Sequence, residues 1–263
     1  MRGRICLLLT WVLTLAVAFT ATAQESKKTV DIIAQSRPAV VAIGTYQASR
    51  NPGFRFLASG FIIADGMSVV TNAHVVAAAR PDTANGERFA IVQPKTREQP
   101  QDLFMRLATV VGVDSTHDLA HLRLQDGSPL SALKLAGREF VSEGQMLLAM
   151  GYPIGSVLGL TVVSHRGMVS AVTPVVIPRG SSGELDERSV RALRDGPMSL
   201  YQLDLTAYPG SSGSPVLDMA TGEVIAVISS GATKGTKESA LGAPTGITYA
   251  IPVRYLLQLL TRS

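Results

Sequence analysis

Short apolar runs rich in β-branched residues, separated by Gly, Pro, Asn and Asp, follow one another along most of the chain. Examples are AVVAIGTY (39–46), FAIVQ (89–93), LATVVGV (107–113), MLLAMGYP (146–153), GLTVVSH (159–165), GMVSAV (167–172), VIAVISSG (224–231) and GITYAIP (246–252). Runs of this length and composition favour strands over helices, and turn residues at short intervals are typical of all-β domains. The residues alone therefore predict an all-β fold, either a barrel or a sandwich.

Helix signals occur at the two ends of this strand-rich region. The first lies near residues 29–37, where Pro38 would end the helix because proline disfavours helical geometry in the residue before it. The second closes the chain with apolar residues at the spacing i, i+3, i+4, i+7, namely Val253, Leu256, Leu257 and Leu260. That spacing predicts an amphipathic helix packed on the core through these four side chains.

Composition excludes several classes of protein. The 263 residues are 46% hydrophobic and 17% charged, which is too apolar for a disordered chain. One Cys and four His cannot supply a disulfide scaffold or a Cys-rich zinc site. The net charge of +4 comes from Lys and Arg scattered along the chain, unlike a nucleic-acid footprint. We expect one large β domain or two small lobes, with no cofactor, no metal and no nucleic-acid partner.

The first 23 residues have the pattern of a secretory signal peptide. Arg2 and Arg4 precede an apolar run, and Ala21 and Ala23 occupy the small-residue positions of a cleavage site. An uncleaved N-terminal anchor is the alternative. Cleavage would remove Cys6, the only Cys, leaving a thiol-free chain suited to an oxidising compartment. We therefore expect an exported protein, periplasmic or secreted, with no stable membrane insertion after cleavage.

Three short segments carry candidate catalytic residues, and each is weak evidence alone. His74 follows an apolar run in VVTNAHVV and is expected to end a strand, but such a His is usually a packed or surface residue. Asp118 leads an apolar run in HDLAHL, a common position for a turn cap. Ser212 stands between Gly210 and Gly213, and these glycines allow a sharp turn that aims backbone N–H groups at one point.

Together the three segments resemble the trypsin-like serine proteases of the HtrA/Deg type. Their order along the chain, His then Asp then Ser, is that of the chymotrypsin class. SGFII followed by VTNAHVV resembles the family's histidine block, and DLAHL resembles its aspartate block, commonly DLAVL. PGSSGSP is similar to the nucleophile block PGNSGGP, while GYPIG and SHRGMVSAV resemble the strands that open the second barrel. The resemblance covers about residues 29–257.

This resemblance implies a fold and a division of the chain. It implies two antiparallel six-stranded β-barrels with short N- and C-terminal helices and an active site in the cleft between the barrels. Residues 28–135 would form the first barrel, with the His and Asp, and residues 136–263 the second barrel, with the nucleophile. The family commonly carries PDZ domains after the protease domain, and we expect a protease domain without one here. The resemblance leaves monomer and trimer both open.

The resemblance also implies roles for individual residues of a serine endopeptidase. His74 would be the general base, Asp118 its orienting carboxylate and Ser212 the nucleophile of an acyl-enzyme mechanism. The oxyanion hole would comprise the backbone N–H groups of Gly210, Ser211 and Ser212. The substrate pocket would be lined by Thr206, Ala207, Ser229, Ser230 and Gly231. Because Thr206 and Ala207 offer no carboxylate, we expect cleavage after small or medium apolar P1 residues. We expect the substrates to be proteins or peptides, cleaved in quality control or in processing of a dedicated partner.

Three residues depart from the family pattern around the nucleophile. Ser211 replaces the usual Asn, Ser214 replaces the second Gly, and Tyr208 stands where Asn is usual. None of these changes removes a backbone N–H, so we expect activity to survive. Ser214 nevertheless adds a Cβ where the chain passes close to the nucleophile turn.

Two alternative functions remain open from the sequence. The segment HDLAH places His117 and His121 at i, i+4 and resembles the helical H-E-x-x-H zinc motif of metallopeptidases, with Asp in place of Glu. However, the segment continues as LRL, which favours a strand, so His117, His121 and His165 are expected to be structural or surface residues. The second alternative is a protease-like fold that binds proteins or peptides without catalysis, since fold alone does not fix function.

Overall fold

The computed structural model describes residues 26–94, 102–137, 141–155, 159–175, 198–229 and 246–263. The predicted signal segment 1–23 lies outside the described residues. Within them, none of the helices has the length and hydropathy of a membrane span.

Six antiparallel strands of the N-terminal half form one closed barrel. They are β1 (Val40–Tyr46), β2 (Phe54–Ile63), β3 (Ser68–Thr71), β4 (Arg88–Pro94), β5 (Leu103–Asp114) and β6 (Leu119–Leu124). Their order around the barrel is β1-β2-β3-β6-β5-β4, and β1 pairs with β4 to close it. A register shift follows Ile43, where a Cβ on Gly44 would lie 2.2 Å from the carbonyl oxygen of Arg55. A glycine at this bulge therefore lets the two strands bend together, as barrel closure requires.

The C-terminal half repeats the same plan. Its strands are β7 (Met146–Gly151), β8 (Val163–Val175), β9 (Met198–Asp204), β10 (Pro215–Asp218), β11 (Val224–Ile228) and β12 (Ile247–Pro252). Their order is β10-β11-β12-β9-β8-β7, and β10 pairs with β7. The apolar runs 159–165 and 167–172, predicted as separate, contribute to the single long strand β8. The predicted fold of two antiparallel six-stranded barrels with a short helix at each end is confirmed, whereas the boundaries 28–135 and 136–263 stay predictions.

Three α-helices accompany the barrels in the described part of the chain. Helix α1 covers residues 26–36, so it starts before the predicted residue 29, and a 3₁₀ turn over Arg37–Ala39 follows it. Helix α2 (Ala73–Ala79) comes directly after β3. Helix α3 (Val253–Leu260) directly follows strand β12 and is the last element of the chain. Helix α1 ends at Ser36, just before the 3₁₀ turn that contains Pro38, in agreement with the predicted stop.

The buried face of α3 differs from the predicted one. Leu257 is 37% exposed, whereas Tyr255 and Leu259 are buried beside Leu256. The physical reason is that the ring of Tyr255 stacks on His117 of the first barrel, with 4.1 Å between ring centroids. That contact turns the helix so that the i+4 position of the predicted stripe faces solvent.

A continuous apolar core runs through both barrels. Buried residues of β1 and β2 belong to the same cluster as those of β7, β10 and β11. The phenol of Tyr152, which follows β7, is fully buried and donates to the carbonyl of Val40 in β1 at 3.2 Å. The two barrels therefore pack against each other through a shared apolar core.

Candidate active site

The carboxylate of Asp118 binds His74 through two different groups. His74 Nδ1 lies 2.8 Å from Oδ2 and 3.0 Å from Oδ1 of Asp118. The backbone N–H of His74 also donates to Oδ1, at 2.9 Å. Side chain and backbone of His74 are therefore held by one carboxylate, which fixes the imidazole ring relative to the chain.

Helix α2 explains how these two residues meet. His74 is the second residue of this helix rather than the last residue of a strand, so the predicted strand position was wrong. Because the first N–H groups of a helix have no partner inside it, the His74 N–H is free to bind the carboxylate of Asp118. The Nδ2 of Asn72 donates to the Asp118 carbonyl at 2.9 Å, and Asp118 itself has a φ of +53°. A left-handed backbone of this kind is tolerated best by Asp and Asn among residues with a side chain.

Ser229 completes the surroundings of the Asp118 carboxylate from the second barrel. Its hydroxyl donates to Oδ2 of Asp118 at 2.6 Å, and the residue is only 1% exposed. Burial raises the pKa of the Asp118 carboxyl, but the hydrogen bonds from His74 and Ser229 outweigh burial and hold the pKa below its usual value. Asp118 is therefore an anion that faces His74 at neutral pH.

Ser212 lies in the turn between β9 and β10, where two glycines adopt left-handed backbone conformations. Gly210 has a φ of +94° and Gly213 a φ of +81°. The N–H of Gly213 donates to the carbonyl of Ile228 at 2.9 Å, and the N–H of Ile228 donates to the carbonyl of Ser214, also at 2.9 Å. The turn around the predicted nucleophile (residues 209–214), which we term the nucleophile turn, is thus anchored to the end of β11, immediately before Ser229.

These contacts bring the three predicted catalytic residues to one end of the interface between the barrels. The end of β11 holds the turn of Ser212 and, through Ser229, the carboxylate that binds His74. From the other side, the N–H of Ser59 donates to the Ser212 carbonyl at 3.0 Å. The imidazole of His74 is 28% exposed, so it borders the cleft rather than the core.

One of the predicted oxyanion-hole groups, the backbone N–H of Ser211, already has a hydrogen-bond partner within the turn. The N–H of Ser211 donates to the carbonyl of Tyr208 at 2.9 Å, and the Ser211 hydroxyl in turn accepts from the N–H of Tyr208 at 3.3 Å. This reciprocal turn occupies the Ser211 amide in the present conformation. An oxyanion hole that includes the N–H groups of Gly210 and Ser212 stays a prediction.

The three predicted pocket residues that the structure describes, Thr206, Ala207 and Ser229, have different surroundings. A cavity of about 560 Å³ adjoins the segment before Ser212, and its walls include Thr206, Tyr208, Asp204, His165, Met146 and Met168. Thr206 lines that cavity, whereas Ala207 packs against the core. Ser229 directs its hydroxyl to Asp118 instead. Ser230 and Gly231 lie outside the described residues.

The histidines of HDLAH do not have the geometry of a helical zinc motif. His121 lies on strand β6, and His117 lies in the turn before it. His117 Nδ1 is 2.7 Å from Oδ2 of Asp114, while His121 Nδ1 is 3.1 Å from the hydroxyl of Ser263. The two imidazoles therefore have separate hydrogen-bond partners. Among the described residues, no three His, Cys, Asp or Glu side chains are grouped to hold a metal ion.

Comparison with known protein families gives a direct match to this architecture. Residues 58–227 match the family described as "Trypsin-like peptidase domain", which is more than half of the chain. The chain belongs to the trypsin-like peptidase family. This match includes all three residues of the predicted triad and most strands of both barrels.

The relatives of this trypsin-like peptidase are of the HtrA and DegP type, which confirms the resemblance found in its motifs. It is 28% identical over 227 residues to "Serine protease HTRA3" of Rattus norvegicus, covering 84% of this chain and 41% of that protein. It is 31% identical over 197 residues to "Probable periplasmic serine endoprotease DegP-like" of Pseudomonas putida (strain W619), covering 75% of this chain and 32% of that protein. The chain thus spans less than half the length of these curated relatives.

Solved structures share the fold of this trypsin-like peptidase. The crystal structure of Deg5 has a TM-score of 0.60 and 23% identity, covering 89% of this chain and 92% of that chain. The HtrA-type protease AlgW with a tripeptide has a TM-score of 0.59 and 24% identity, covering 89% of this chain and 62% of that chain. Both support the two-barrel architecture described above.

The sequence did not reveal which buried polar residues lie beside the predicted triad. Asn72, Thr71 and Ser59 are fully buried polar residues in or next to otherwise apolar strands. Polar side chains at such positions need internal partners, because leaving them unpaired is costly. That pattern is the signal that could have identified them before the structure was known.

Proposed function

We propose that this chain is a serine endopeptidase that hydrolyses peptide bonds through His74, Asp118 and Ser212. The observation that carries the proposal is the shared anchoring of the site. Asp118 holds both the ring and the backbone of His74, and it accepts from Ser229 at the end of the strand that also binds the Ser212 turn. Membership of the trypsin-like peptidase family supports the same chemistry.

The chemistry begins with the tautomer of His74. Its Nδ1–H donates to the anionic carboxylate of Asp118, which leaves Nε2 unprotonated and able to act as a base. Ser212 Oγ attacks the scissile carbonyl carbon while His74 Nε2 takes the hydroxyl proton. His74 then gives this proton to the leaving amine, so that an acyl-enzyme on Ser212 remains. A water molecule, deprotonated by His74, releases the acyl group and restores the hydroxyl.

The developing oxyanion needs donors placed before the reaction starts. We assign that role to the backbone N–H groups of Gly210 and Ser212, which belong to the turn with left-handed glycines. Removing one such donor typically costs about 10²–10³ in rate. Because the donors are backbone groups, the substitutions at Ser211 and Ser214 leave them in place.

Specificity is proposed to favour small or medium apolar P1 residues. Thr206 and Ala207 precede the nucleophile and carry no charge, so a Lys or Arg side chain would find no carboxylate there. Asp204 is the nearest acidic residue on this segment, and it is exposed on the wall of the cavity that Thr206 borders. Without an ion pair, an apolar side chain is the better occupant.

The substrates are proposed to be proteins or peptides outside the cytoplasm. The signal pattern of residues 1–23 supports export, and relatives of the DegP-like type are named as periplasmic serine endoproteases. Quality control of exported proteins and processing of a dedicated partner both fit this placement. Monomer and trimer both remain compatible with it.

Covalent labelling tests the proposal. The purified protein is treated with a peptide phosphonate that carries Val at P1, and the modified residue is mapped by mass spectrometry. We expect the label on Ser212, and no label and no peptide hydrolysis in the Ser212→Ala variant. Ser214→Ala, two residues away, is the matched control and should keep both. A wild-type protein that is folded but neither labelled nor active would favour the peptide-binding alternative instead.

A further inference from the structure

Ser59 of β2 is fully buried between the two barrels, and all of its polar groups are bound. Its relative exposure is 0%. Two of its hydrogen bonds are donated: the N–H donates to the Ser212 carbonyl at 3.0 Å, and the hydroxyl donates to the Gly210 carbonyl at 2.7 Å. Two more are accepted: the hydroxyl oxygen accepts from the Tyr152 N–H at 2.8 Å, and the carbonyl accepts from the Thr71 hydroxyl at 2.8 Å. Two of these four partners belong to the nucleophile turn.

The nucleophile turn has every carbonyl from residue 209 to 212 held by a hydrogen bond. The Pro209 carbonyl accepts from the Ile154 N–H at 2.7 Å, and the Ser211 carbonyl accepts from the Ser214 N–H at 3.0 Å. The other two carbonyls, of Gly210 and Ser212, are both held by Ser59. Of the four bonds, only the one from the Ser59 hydroxyl to Gly210 comes from a side chain, so a substitution that leaves the backbone donors unchanged can remove it alone.

Peptide planarity turns these carbonyl bonds into control of the N–H groups. Each peptide plane carries one carbonyl and the following N–H, which point in opposite directions. Ser59 fixes two peptide planes through their carbonyls. The first joins Gly210 to Ser211, and the N–H at its other end is bound to the Tyr208 carbonyl. The second joins Ser212 to Gly213, and the N–H at its other end is bound to the Ile228 carbonyl. The N–H groups of Gly210 and Ser212 belong to the planes on either side of the Gly210–Ser211 peptide. Ile154 and Ser214 hold those two outer planes through the Pro209 and Ser211 carbonyls, and the Gly210–Ser211 peptide held by Ser59 joins them. The direction of one N–H group relative to the other therefore depends on the plane that the Ser59 hydroxyl holds.

The hydrogen-bond partners around Ser59 fix the direction of its hydroxyl hydrogen. Because its oxygen accepts from the backbone of Tyr152, the hydroxyl hydrogen is directed towards Gly210. Glycines allow this close approach: a Cβ on Gly151 would lie 2.7 Å from the Ser59 hydroxyl oxygen, and a Cβ on Gly213 would lie 2.2 Å from the Ser59 carbonyl oxygen. The packing thus fits a serine side chain closely.

We propose that Ser59 is a positioning residue for peptide hydrolysis, because its hydroxyl holds the Gly210 carbonyl and so keeps the Gly210 and Ser212 N–H groups directed at the oxyanion. Ser59 touches no reacting atom in this role and acts through the nucleophile turn. The inference rests on the proposed function of His74, Asp118 and Ser212 as a catalytic triad. It differs from a purely structural role because it concerns the transition state more than substrate binding.

The Ser59→Ala variant tests the proposal because a positioning role predicts a change in kcat with little change in KM. We expect kcat for a Val-P1 peptide to fall about 10- to 100-fold, less than for complete loss of an oxyanion donor, with KM within about twofold. A peptide aldehyde forms a tetrahedral adduct with the nucleophile and needs the same donors. Its inhibition constant should therefore rise in parallel with the fall in kcat/KM, while the affinity for a cleaved product peptide stays within about twofold.

Ser68→Ala is the matched control. Ser68 is also a buried serine of the first barrel, on β3, and its hydroxyl lies 3.4 Å from Arg123, away from the nucleophile turn. We expect this variant to keep wild-type kcat and aldehyde affinity even where its thermal stability falls. Ser59→Cys retains a weaker donor at the same place and should lie between wild type and Ser59→Ala in kcat. It serves the same test if the alanine variant does not fold.

The possible results separate this inference from the proposed function. If the wild type is labelled on Ser212 but the folded Ser59 variants keep wild-type kcat and aldehyde affinity, the positioning role is overturned and the triad stands. If the Ser59 variants lose product-peptide affinity as much as kcat, Ser59 supports the fold in general and the proposal is likewise overturned. If the wild type is not labelled, the proposed function itself fails and the inference fails with it.

Discussion

The hydroxyl of Ser229 donates to Oδ2 of Asp118 at 2.6 Å, which joins the second barrel to the carboxylate of the first. Ser229 follows β11, and the residue before it binds the nucleophile turn through two backbone hydrogen bonds. One short segment thus connects the proposed nucleophile to the residue that orients the proposed base. The alignment of the site therefore depends on how the barrels dock, and not only on either barrel by itself.

We expect the Ser229→Ala variant to lower kcat about tenfold while His74 keeps its contacts with Asp118. The change removes one donor from a half-buried anion, so the pKa of the Asp118 carboxyl should rise towards its ordinary value. Peptide hydrolysis measured against pH would show the rate loss deepening at low pH. Ser164→Ala, on β8, is a control for an unrelated serine and should keep the wild-type profile. Unchanged hydrolysis by Ser229→Ala at all pH values would contradict the role of this contact.

We expect the Asp118→Asn variant to lose about 10⁴-fold in kcat with little loss of fold. An amide in place of the carboxylate can donate to Nδ1 of His74, which favours the tautomer that carries its proton on Nε2 and cannot act as base. Circular dichroism and thermal unfolding would establish that the barrels remain folded, and steady-state hydrolysis would give the rate. Retention of more than about a tenth of the activity would rule out Asp118 as the orienting residue.

We expect the Ser214→Ala variant to be as stable as the wild type or more stable by about 1 kcal/mol. The hydroxyl of Ser214 is buried and has no hydrogen-bond partner among the residues that the structure describes. Removing an unpaired buried hydroxyl eliminates its desolvation cost, whereas its volume is almost retained. Urea unfolding would measure the change. Ser211→Ala is the comparison, because its hydroxyl accepts from Tyr208 and its loss should destabilise. A clear loss of stability in Ser214→Ala would show that this hydroxyl has a partner after all.

A buried carboxylate in the first barrel gives a pH-dependent prediction for stability. The Thr45 hydroxyl and the Arg50 guanidinium bind Glu87 at 2.5 Å and 2.7 Å, and these hydrogen bonds lower the pKa of Glu87 to about 2. A carboxyl with a lowered pKa in the folded state stabilises the fold above its unfolded pKa and loses that effect as the pH falls. We expect Glu87→Gln to lower the unfolding midpoint at pH 7.

The Glu87→Gln deficit should shrink as the pH falls from about 4.5 towards 2, because the wild-type carboxyl then becomes protonated. Thermal unfolding at a series of pH values would measure it. Glu223→Gln, at a surface turn, is the control and should show no such dependence. A deficit that stays constant down to pH 2 would mean that the charge of Glu87 is not the stabilising property.

We expect Val-P1 peptides to be hydrolysed at least about tenfold faster, by kcat/KM, than matched Arg-P1 peptides. The uncharged Thr206 and Ala207 offer no partner for a guanidinium. Introducing a carboxylate in the Thr206→Asp variant should shift the ratio towards Arg. Faster cleavage of the Arg-P1 peptide by the wild type would contradict the apolar pocket. In that case Asp204, on the same cavity wall as Thr206, is the residue to substitute next.

The strand content and the family were predictable because they depend on local patterns. Apolar runs between turn residues indicated the strands, and the blocks around His74, Asp118 and Ser212 indicated the trypsin-like family, which the match over residues 58–227 confirms. Errors arose where a tertiary contact decided the local outcome. His74 lies in the first turn of a helix, where Asp118 binds its N–H, and Leu257 faces solvent because Tyr255 stacks on His117. No periodicity in the sequence could reveal either contact.

The sequence by itself determined the residue types of the site and the elements that carry them, since glycine turns, β-branched runs and capping positions act over a few neighbours. Only the tertiary structure decided the hydrogen-bond partners. In the folded protein the Ser229 hydroxyl binds Asp118, which is 111 residues away in the sequence, and the Ser59 hydroxyl binds Gly210, which is 151 residues away. The physical reason is that barrel closure and docking choose which distant polar groups are buried together. A buried polar group must then bind whatever that packing brings within reach.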